Sequence, residues 1–275
     1  MKKTNRWNHI VIYTVLIVGA VVMIFPFIWM ILTSFKSLSE SLQFPPKIMP
    51  ESWHLVNYKD VCEQLPFFNF FINTMLLIVF RILFAVTFSA LAAFAFARMQ
   101  FPGKNILFIL VLMPMMVPSQ IFVLPQYLFT SKIGLTNTIA ALVLPGMAST
   151  FGIFLLRQFF FGIPDELEEA AILDGCNPGQ VFVRIMLPLV KPGLVSLAIF
   201  TALFAYKDLL WPLIVNTSVN KMPLSSGLAM LQGQYTTHYP QLMAGAVIAI
   251  IPMIVLFLIF QKQFVEGIAT TGTKG

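Results

Sequence analysis

The sequence predicts an all-α, polytopic membrane protein with six transmembrane helices. Hydrophobic residues make up 58% of the 275 residues and charged residues only 10%, whereas soluble domains have about 25% charged residues. Some stretches carry no charge at all, since no Lys, Arg, Asp or Glu occurs between Arg6 and Lys36. About 20 apolar residues suffice to cross a bilayer as a helix. The low charge and the long apolar stretches therefore predict a chain that passes through the membrane repeatedly.

Polar and turn-forming segments separate the predicted helices. The first apolar run is longer than the roughly 7–15 residues of a signal peptide core, and no small-x-small cleavage site ends it, so we expect a retained anchor. The segments 98–104, 134–137 and 221–240 contain the charges, glycines and prolines that end later runs. The predicted spans are 10–33, 70–95, 105–127, 138–159, 194–216 and 241–261.

Lysine and arginine predict the orientation, because they remain preferentially in the cytoplasm. With both termini inside, the inner segments carry twice as many of these residues as the outer segments. The inner residues are Lys2, Lys3, Arg6, Arg98, Lys104, Arg157, Arg184, Lys191, Lys262 and Lys274, and the outer residues are Lys36, Lys47, Lys59, Lys132 and Lys221. The net charge is +6, but the basic residues are scattered and form no basic patch. Membrane orientation accounts for them, so we expect membrane lipid and no nucleic acid as a partner.

The predicted cytoplasmic loop 157–193 contains the most polar stretch of the chain. Pro164 suits a first helical position, and the acids that follow it favour the positive end of a helix. The spacing of Leu167, Ala170, Ala171 and Asp174 is typical of a short amphipathic helix.

Two turn signals follow in the same loop. Gly175 can end the first helix in a left-handed cap, and Asn177-Pro178 can begin a second short helix that Pro188 closes. A compact pair of short helices could dock a partner, or it could be a structured loop without one.

Three charges fall inside predicted spans. Arg81 lies in the second span, where an arginine costs roughly 2.5–3.5 kcal/mol to insert and should face protein or water. It could line a pore, lie at a subunit interface or be paired for structural reasons. Lys207 and Asp208 lie in the fifth span and, being adjacent, point about 100° apart. Lys207 could contact an anionic group of a solute or pair with an acid of another subunit.

The sequence predicts no catalytic residue, metal site or cofactor. Its three histidines are isolated and lack the spacing of metal ligands, and no G-x-S-x-G nucleophile motif occurs. No G-x-x-x-x-G-K-[ST] loop for nucleotide phosphates occurs either. We therefore do not expect an enzyme.

The cytoplasmic loop resembles that of binding-protein-dependent ABC transporter permeases. The family pattern is Glu-Ala-Ala, three residues, Gly, nine residues, Ile, one residue, Leu-Pro. The matching residues are Glu169, Ala170, Ala171, Gly175, Ile185, Leu187 and Pro188. The segments 95–104, 211–213 and 264–268, with the ending 274–275, are similar to the carbohydrate-uptake subgroup, whose members import maltose and glycerol phosphate.

The resemblance implies a MetI-like permease fold and a membrane subunit that imports a sugar or sugar-like solute. It implies four partners: a homologous second permease subunit, two ATP-binding subunits and an extracytoplasmic solute-binding protein. The seven matching residues would couple the chain to the ATPases, which would hydrolyse ATP themselves. The protein would be multi-pass in the inner membrane of a prokaryote, with both termini cytoplasmic.

The same resemblance suggests three parts of the chain. Residues 1–68 would hold the N-terminal transmembrane helix and an extracytoplasmic loop, residues 69–265 the permease domain, and residues 266–275 a cytoplasmic tail. Two other functions remain. An ion-coupled secondary transporter would work as a dimer without an ATPase, and an integral membrane enzyme would need clustered histidines or acids at one membrane face.

Overall fold

A computed structural model describes the backbone of residues 6–232 and 237–272 and the side chains of 11–232 and 237–261. All regular structure in these ranges is helical. The helices are α1 (Arg6–Ser34), α2 (Leu38–Ser41), α3 (Val56–Gln64), α4 (Phe67–Arg98), α5 (Lys104–Leu112), α6 (Val123–Lys132), α7 (Ile139–Val143), α8 (Thr150–Phe161) and α9 (Asp165–Leu173). They continue with α10 (Pro178–Leu189), α11 (Lys191–Lys207), α12 (Leu210–Val215), α13 (Leu224–Ala229) and α14 (Tyr239–Gly272).

The predicted all-α fold with six spans is confirmed, although half of the spans are bent. Val11–Ser34, Phe67–Arg98 and Tyr239–Gln261 are each long and apolar enough to cross a membrane alone. Three bent pairs satisfy the same criteria as single spans. They are Lys104–Met116 with Ser119–Lys132, bent by 100°, Ile139–Gly146 with Thr150–Phe161, bent by 45°, and Pro178–Leu189 with Lys191–Lys207, bent by 76°. In the third pair, Pro178–Leu189 belongs to the predicted cytoplasmic loop, and only Lys191–Lys207 falls in the predicted fifth span 194–216.

The spans 105–127, 138–159 and 194–216 were predicted as single helices, but each is broken in the structure. A proline lies in or near each break. Pro118 lies in the first break, and Pro145 lies in the 3₁₀ turn Leu144–Gly146 between α7 and α8. The fifth span is interrupted between α11 and α12, just before Pro212. Proline lacks the N–H that a helix needs and its ring opposes the preceding turn, which favours a break at these positions, although α1 and α14 continue past Pro26 and Pro252.

One compact unit contains Met1–Pro66 and Leu228–Ile254. The ring of Phe35 lies 5.0 Å from that of Trp53 and 5.2 Å from that of Tyr58. The side-chain amide of Asn57 donates a 2.9 Å hydrogen bond to the carbonyl of Ser34. The segment after α1, which belongs to the predicted extracytoplasmic loop, is therefore an ordered connection that includes α2 and α3.

The other compact unit contains Phe67–Gly227 and Val255–Gly275. Helix α4 packs along both α8 and α11, with small buried residues such as Ser89 and Ala93 on its contact face. A Cβ added to Gly152 of α8 would lie only 2.6 Å from the Ser89 hydroxyl. Small residues let helix backbones approach closely, so α4 and α8 form a tightly packed pair.

Two sets of predictions stay open. The domain boundaries at 68/69 and 265/266 stay predictions. The side chains of the predicted tail 266–275 and of the inner-side residues Lys2, Lys3, Arg6, Lys262 and Lys274 lie outside the described residues.

Candidate functional site

The predicted coupling residues of the loop lie on a helix, a left-handed turn and a second helix, which we call the two-helix loop (residues 162–190). Helix α9 begins at Asp165. Pro164 is therefore the residue before the helix, whereas it was predicted to be the first helical residue. Gly175 has φ +85°, as predicted for a left-handed cap. The N–H of Cys176 donates to the carbonyl of Ala171 at 3.0 Å, and that of Gly175 donates to Ile172 at 2.9 Å. This is the Schellman arrangement.

A reciprocal cap begins the second helix of the loop. The N–H of Gln180 donates to Oδ1 of Asn177, and the N–H of Asn177 donates to Oε1 of Gln180, both at 2.9 Å. Helix α10 then includes a π-helical segment, Val181–Met186. The predicted second helix is confirmed, and hydrogen bonds fix both ends of the turn between the helices.

An aromatic cluster attaches the two-helix loop to the membrane helices. The ring of Phe182 in α10 lies 5.0 Å from that of Phe94 in α4 and 6.4 Å from that of Phe160 in α8. Ala171 and Met186 of the loop are buried in the same core. Ile185 and Leu187 are partly buried and pack against it. The loop therefore shares one hydrophobic core with the ends of α4 and α8.

Arg98, the last residue of α4, adds a polar attachment. Its guanidinium donates to the carbonyls of Phe160 and Ile163, where α8 ends, and it also bonds Asp165 at the start of α9. Oε2 of Glu168 lies 3.7 Å from Nη1 of Arg98. The Arg98 side chain is only 6% exposed. A cation near carbonyl groups at the end of a helix is favourable, and this one joins three helix ends.

Much of the surface of α9 is exposed. Leu173 is 88% exposed and Ile172 55% exposed, beside the exposed Glu169. Glu169 lines a groove of about 440 Å³ that also includes Arg98 and Gln100. This face combines apolar surface with a carboxylate and has the character of a docking surface.

The predicted residues of the loop therefore fall into two groups. Glu169, Ala170, Gly175 and Pro188 are exposed, whereas Ala171 is buried and Ile185 and Leu187 are half-buried. The predicted amphipathic face was wrong in part, because Leu167, Ala170 and Asp174 are exposed and only Ala171 faces the core. Helix α9 has nine residues, and Ala171 is its one buried residue.

A second candidate site is a cavity of about 560 Å³ within the larger unit. It brings together all three predicted intramembrane charges, Arg81, Lys207 and Asp208. Its other lining residues are Ser119, Gln120, Phe122, Val123, Gln126, Pro145, Gly146, Phe204, Leu209, Leu210 and Trp211. The breaks in the third, fourth and fifth spans thus meet at one cavity.

Arg81 is paired within the chain. Its Nη2 donates to Oδ2 of Asp208 at 2.9 Å and to the carbonyl of Leu142 at 2.7 Å, and its Nε donates to the same carbonyl at 3.1 Å. A Cβ on Gly146 would lie 2.9 Å from this Nε. Glycine at position 146 therefore leaves room for the arginine to reach from α4 to the broken fourth and fifth spans.

Side-chain donors form hydrogen bonds with two backbone carbonyls that lack a helical N–H partner because a proline lies four residues later. Pro145 offers no N–H to the carbonyl of Ala141, which instead accepts a 2.9 Å hydrogen bond from the Trp211 indole. Pro212 likewise offers none to the carbonyl of Asp208, which accepts from the Ser225 hydroxyl. Buried carbonyls need partners, so these bonds stabilise the breaks.

Lys207 is placed differently from the other two charges. Its Nζ lies 4.8 Å from the centre of the Phe204 ring, and the side chain is exposed. It does not pair with its neighbour Asp208, which agrees with the predicted divergence of the two side chains. Within the ranges whose side chains are described, Lys207 has no salt bridge.

Sequence reasoning did not assign roles to Arg98, Gly146 and Trp211. Arg98 is the first charge after Arg81 in a long helix, which is a local signal for an anchor at the membrane boundary. The roles of Gly146 and Trp211 depend on contacts with residues far away in the sequence, and no local pattern indicates them.

Comparison with known proteins gives a consistent result. The family model described as "Binding-protein-dependent transport system inner membrane component" matches residues 85–269. The arabinooligosaccharides transport system permease protein AraQ of Halalkalibacterium halodurans is 34% identical over 93% of this chain and 93% of its own. The sn-glycerol-3-phosphate transport system permease protein UgpE of Salmonella typhi is 31% identical over 98% of both chains.

A solved structure shares the fold. A chain in the crystal structure of a bacterial ABC transporter involved in the import of the acidic polysaccharide alginate superimposes with a TM-score of 0.81. The match covers 96% of this chain and 99% of that chain, at 22% sequence identity.

Proposed function

Because this chain belongs to the family of binding-protein-dependent transport system inner membrane components, we propose that it is a permease subunit of an ATP-driven importer for a sugar or sugar-like solute. The names of its relatives support this class of solute, since they refer to arabinooligosaccharides and to glycerol phosphate. The polar cavity around Arg81 supports a pathway within the membrane region.

The proposed assembly contains a second permease subunit, two ATP-binding subunits and an extracytoplasmic solute-binding protein. Both termini lie in the cytoplasm in this proposal, as the distribution of lysine and arginine favours. The two-helix loop then faces the ATP-binding subunits. Its exposed face, with Glu169 beside Ile172 and Leu173, is the single observation that best supports docking, because these two large apolar side chains remain exposed while Phe182 and Met186 of the same loop are buried in the chain's own core.

Two continuous helices connect the loop to the cavity. Helix α4 carries Arg81 at the cavity and Arg98 at the loop, which are about 25 Å apart at the rise of an α-helix. Helix α11 begins where the loop ends and finishes at Lys207 beside the cavity. Movement of the ATP-binding subunits would therefore displace the loop and, through α4 and α11, the residues around the cavity.

Substitutions at Gly175 test the coupling. No atom lies within 4 Å of a Cβ placed there, yet φ is +85°, so only the backbone conformation opposes a side chain. Valine should strain this turn by about 1–2 kcal/mol or more, whereas asparagine tolerates the left-handed region. In the reconstituted importer, we expect Gly175→Val to lower ATP-driven uptake or ATPase association, and Gly175→Asn to retain most of both.

Two results would contradict the proposal. Normal uptake by correctly inserted Gly175→Val would remove the role of the turn. Uptake by this chain alone in vesicles, driven by an ion gradient and unaffected by ATP, would favour an ion-coupled dimeric transporter.

A further inference from the structure

We propose that the cavity around Arg81 accepts the anionic group of an acidic or phosphorylated sugar, and that Lys207 pairs with it. This inference depends on the proposed importer function and adds a class of solute to it. It follows from the balance of charge in the cavity and from the polar groups that line the rest of it.

One cation that lines the cavity has no counter-charge among the other lining side chains. Three ionisable side chains line it, and two of them, Arg81 and Asp208, form a 2.9 Å ion pair. Arg81 also donates to a backbone carbonyl and is only 10% exposed as a side chain. Its charge is therefore compensated inside the chain, and the net charge of the lining comes from Lys207.

The ammonium group of Lys207 has N–H donors available for a ligand. An ammonium group has three N–H donors, and its contact among the described side chains is with the face of the Phe204 ring, 4.8 Å away. A ring face compensates a cation only in part. A cation inside a membrane protein normally has a partner, so an incoming carboxylate or phosphate would complete this site.

The remaining lining suits a hydroxylated ligand. Gln120, Gln126 and Ser119 offer amide and hydroxyl groups, and Phe122 and Trp211 offer ring surfaces. A few polar groups among aromatic side chains are typical of small-molecule sites, which have volumes of about 300–1,000 Å³. The cavity of about 560 Å³ lies within that range, so one or two sugar rings would fit.

Binding to the assembled importer in nanodiscs, without the solute-binding protein, would test the inference. The probes are digalacturonate, glucose 6-phosphate and neutral digalactose, the first two of which separate carboxylate from phosphate recognition. We expect at least one acidic probe to bind about tenfold more tightly than digalactose at low salt, which is a modest value for a close charge pair.

The variants Lys207→Gln and Lys207→Arg are the matched pair. Glutamine should reduce affinity for the acidic probe to that for digalactose, whereas arginine should keep the preference. Equal binding of the three probes by the wild-type importer, or a preference that survives Lys207→Gln, would refute the inference.

Two further outcomes separate a failure of this inference from a failure of the proposed function. If Lys207→Gln releases the second permease subunit or weakens all probes equally, Lys207 pairs with an acid of another subunit and the inference is wrong. If the assembled wild-type importer shows no ATP-driven uptake of any sugar, the proposed function itself fails.

Discussion

Replacing Arg98 by alanine should loosen the two-helix loop far more than removing its ion-pair partner. The guanidinium is buried and donates to the carbonyls of Phe160 and Ile163. Hydrogen bonds that involve a charged group contribute about 1.5–3 kcal/mol each, so the two together amount to about 3–6 kcal/mol. Asp165 is 82% exposed, and an exposed ion pair contributes only about 0–1 kcal/mol.

The matched variants are Arg98→Ala, Arg98→Lys and Asp165→Asn. Lysine keeps the charge but lacks the planar fork that reaches two carbonyls at once, so we expect an intermediate effect. Hydrogen exchange of the backbone amides in 165–189, measured on the assembled importer, reports the local opening free energy. A loss of about 3–6 kcal/mol corresponds to exchange faster by roughly 10²–10⁴-fold.

Transport measurements on the same variants connect this stability to function. If a firmly attached loop is needed for coupling, Arg98→Ala should lower uptake per ATP hydrolysed, and Asp165→Asn should change it little. Equal exchange rates in Arg98→Ala and Asp165→Asn would refute the assignment of the stabilisation to the carbonyl contacts. Faster exchange with unchanged coupling would separate loop stability from transport.

Two further substitutions test the cavity. Gly146→Ala would place a Cβ 2.9 Å from Nε of Arg81, so we expect the cavity ion pair to be displaced and the thermal midpoint in detergent to fall. Gly19→Ala, where no atom lies within 4 Å, is the control and should not lower the midpoint, because alanine suits the interior of α1 at least as well as glycine; equal midpoints would contradict the prediction. Trp211→Phe would leave the carbonyl of Ala141 without its donor, which should cost about 1–3 kcal/mol of unfolding free energy. A change below about 0.5 kcal/mol, the ordinary range for harmless substitutions, would show that another group replaces the indole.

The parts of the fold that follow local rules could be predicted from the sequence. The turn at Gly175 and the start of α10 at Asn177 depend on backbone conformation and capping, which a few neighbouring residues determine. The number of spans follows from apolar length. The orientation in the membrane and the roles of the seven coupling residues stay predictions.

The bends and the pairings could not be predicted in the same way. A proline in an apolar run predicts a local disturbance, but the 100° bend beside Pro118 depends on what the two halves pack against. The partner of Arg81 is far away in the sequence, and Asp208 was one of several polar groups that could have met it. Burial of Ala171 and exposure of Ala170 likewise follow from where α4 and α8 end.

The bond between Trp211 and the carbonyl that Pro145 leaves free has a consequence for how these positions change over evolution. A chain that loses the proline regains a backbone donor for the carbonyl of Ala141, which then no longer depends on the indole. A chain that loses the indole while keeping the proline is left with an orphaned acceptor. The two positions should therefore be inherited as a pair, and substitution at one should relax selection on the other.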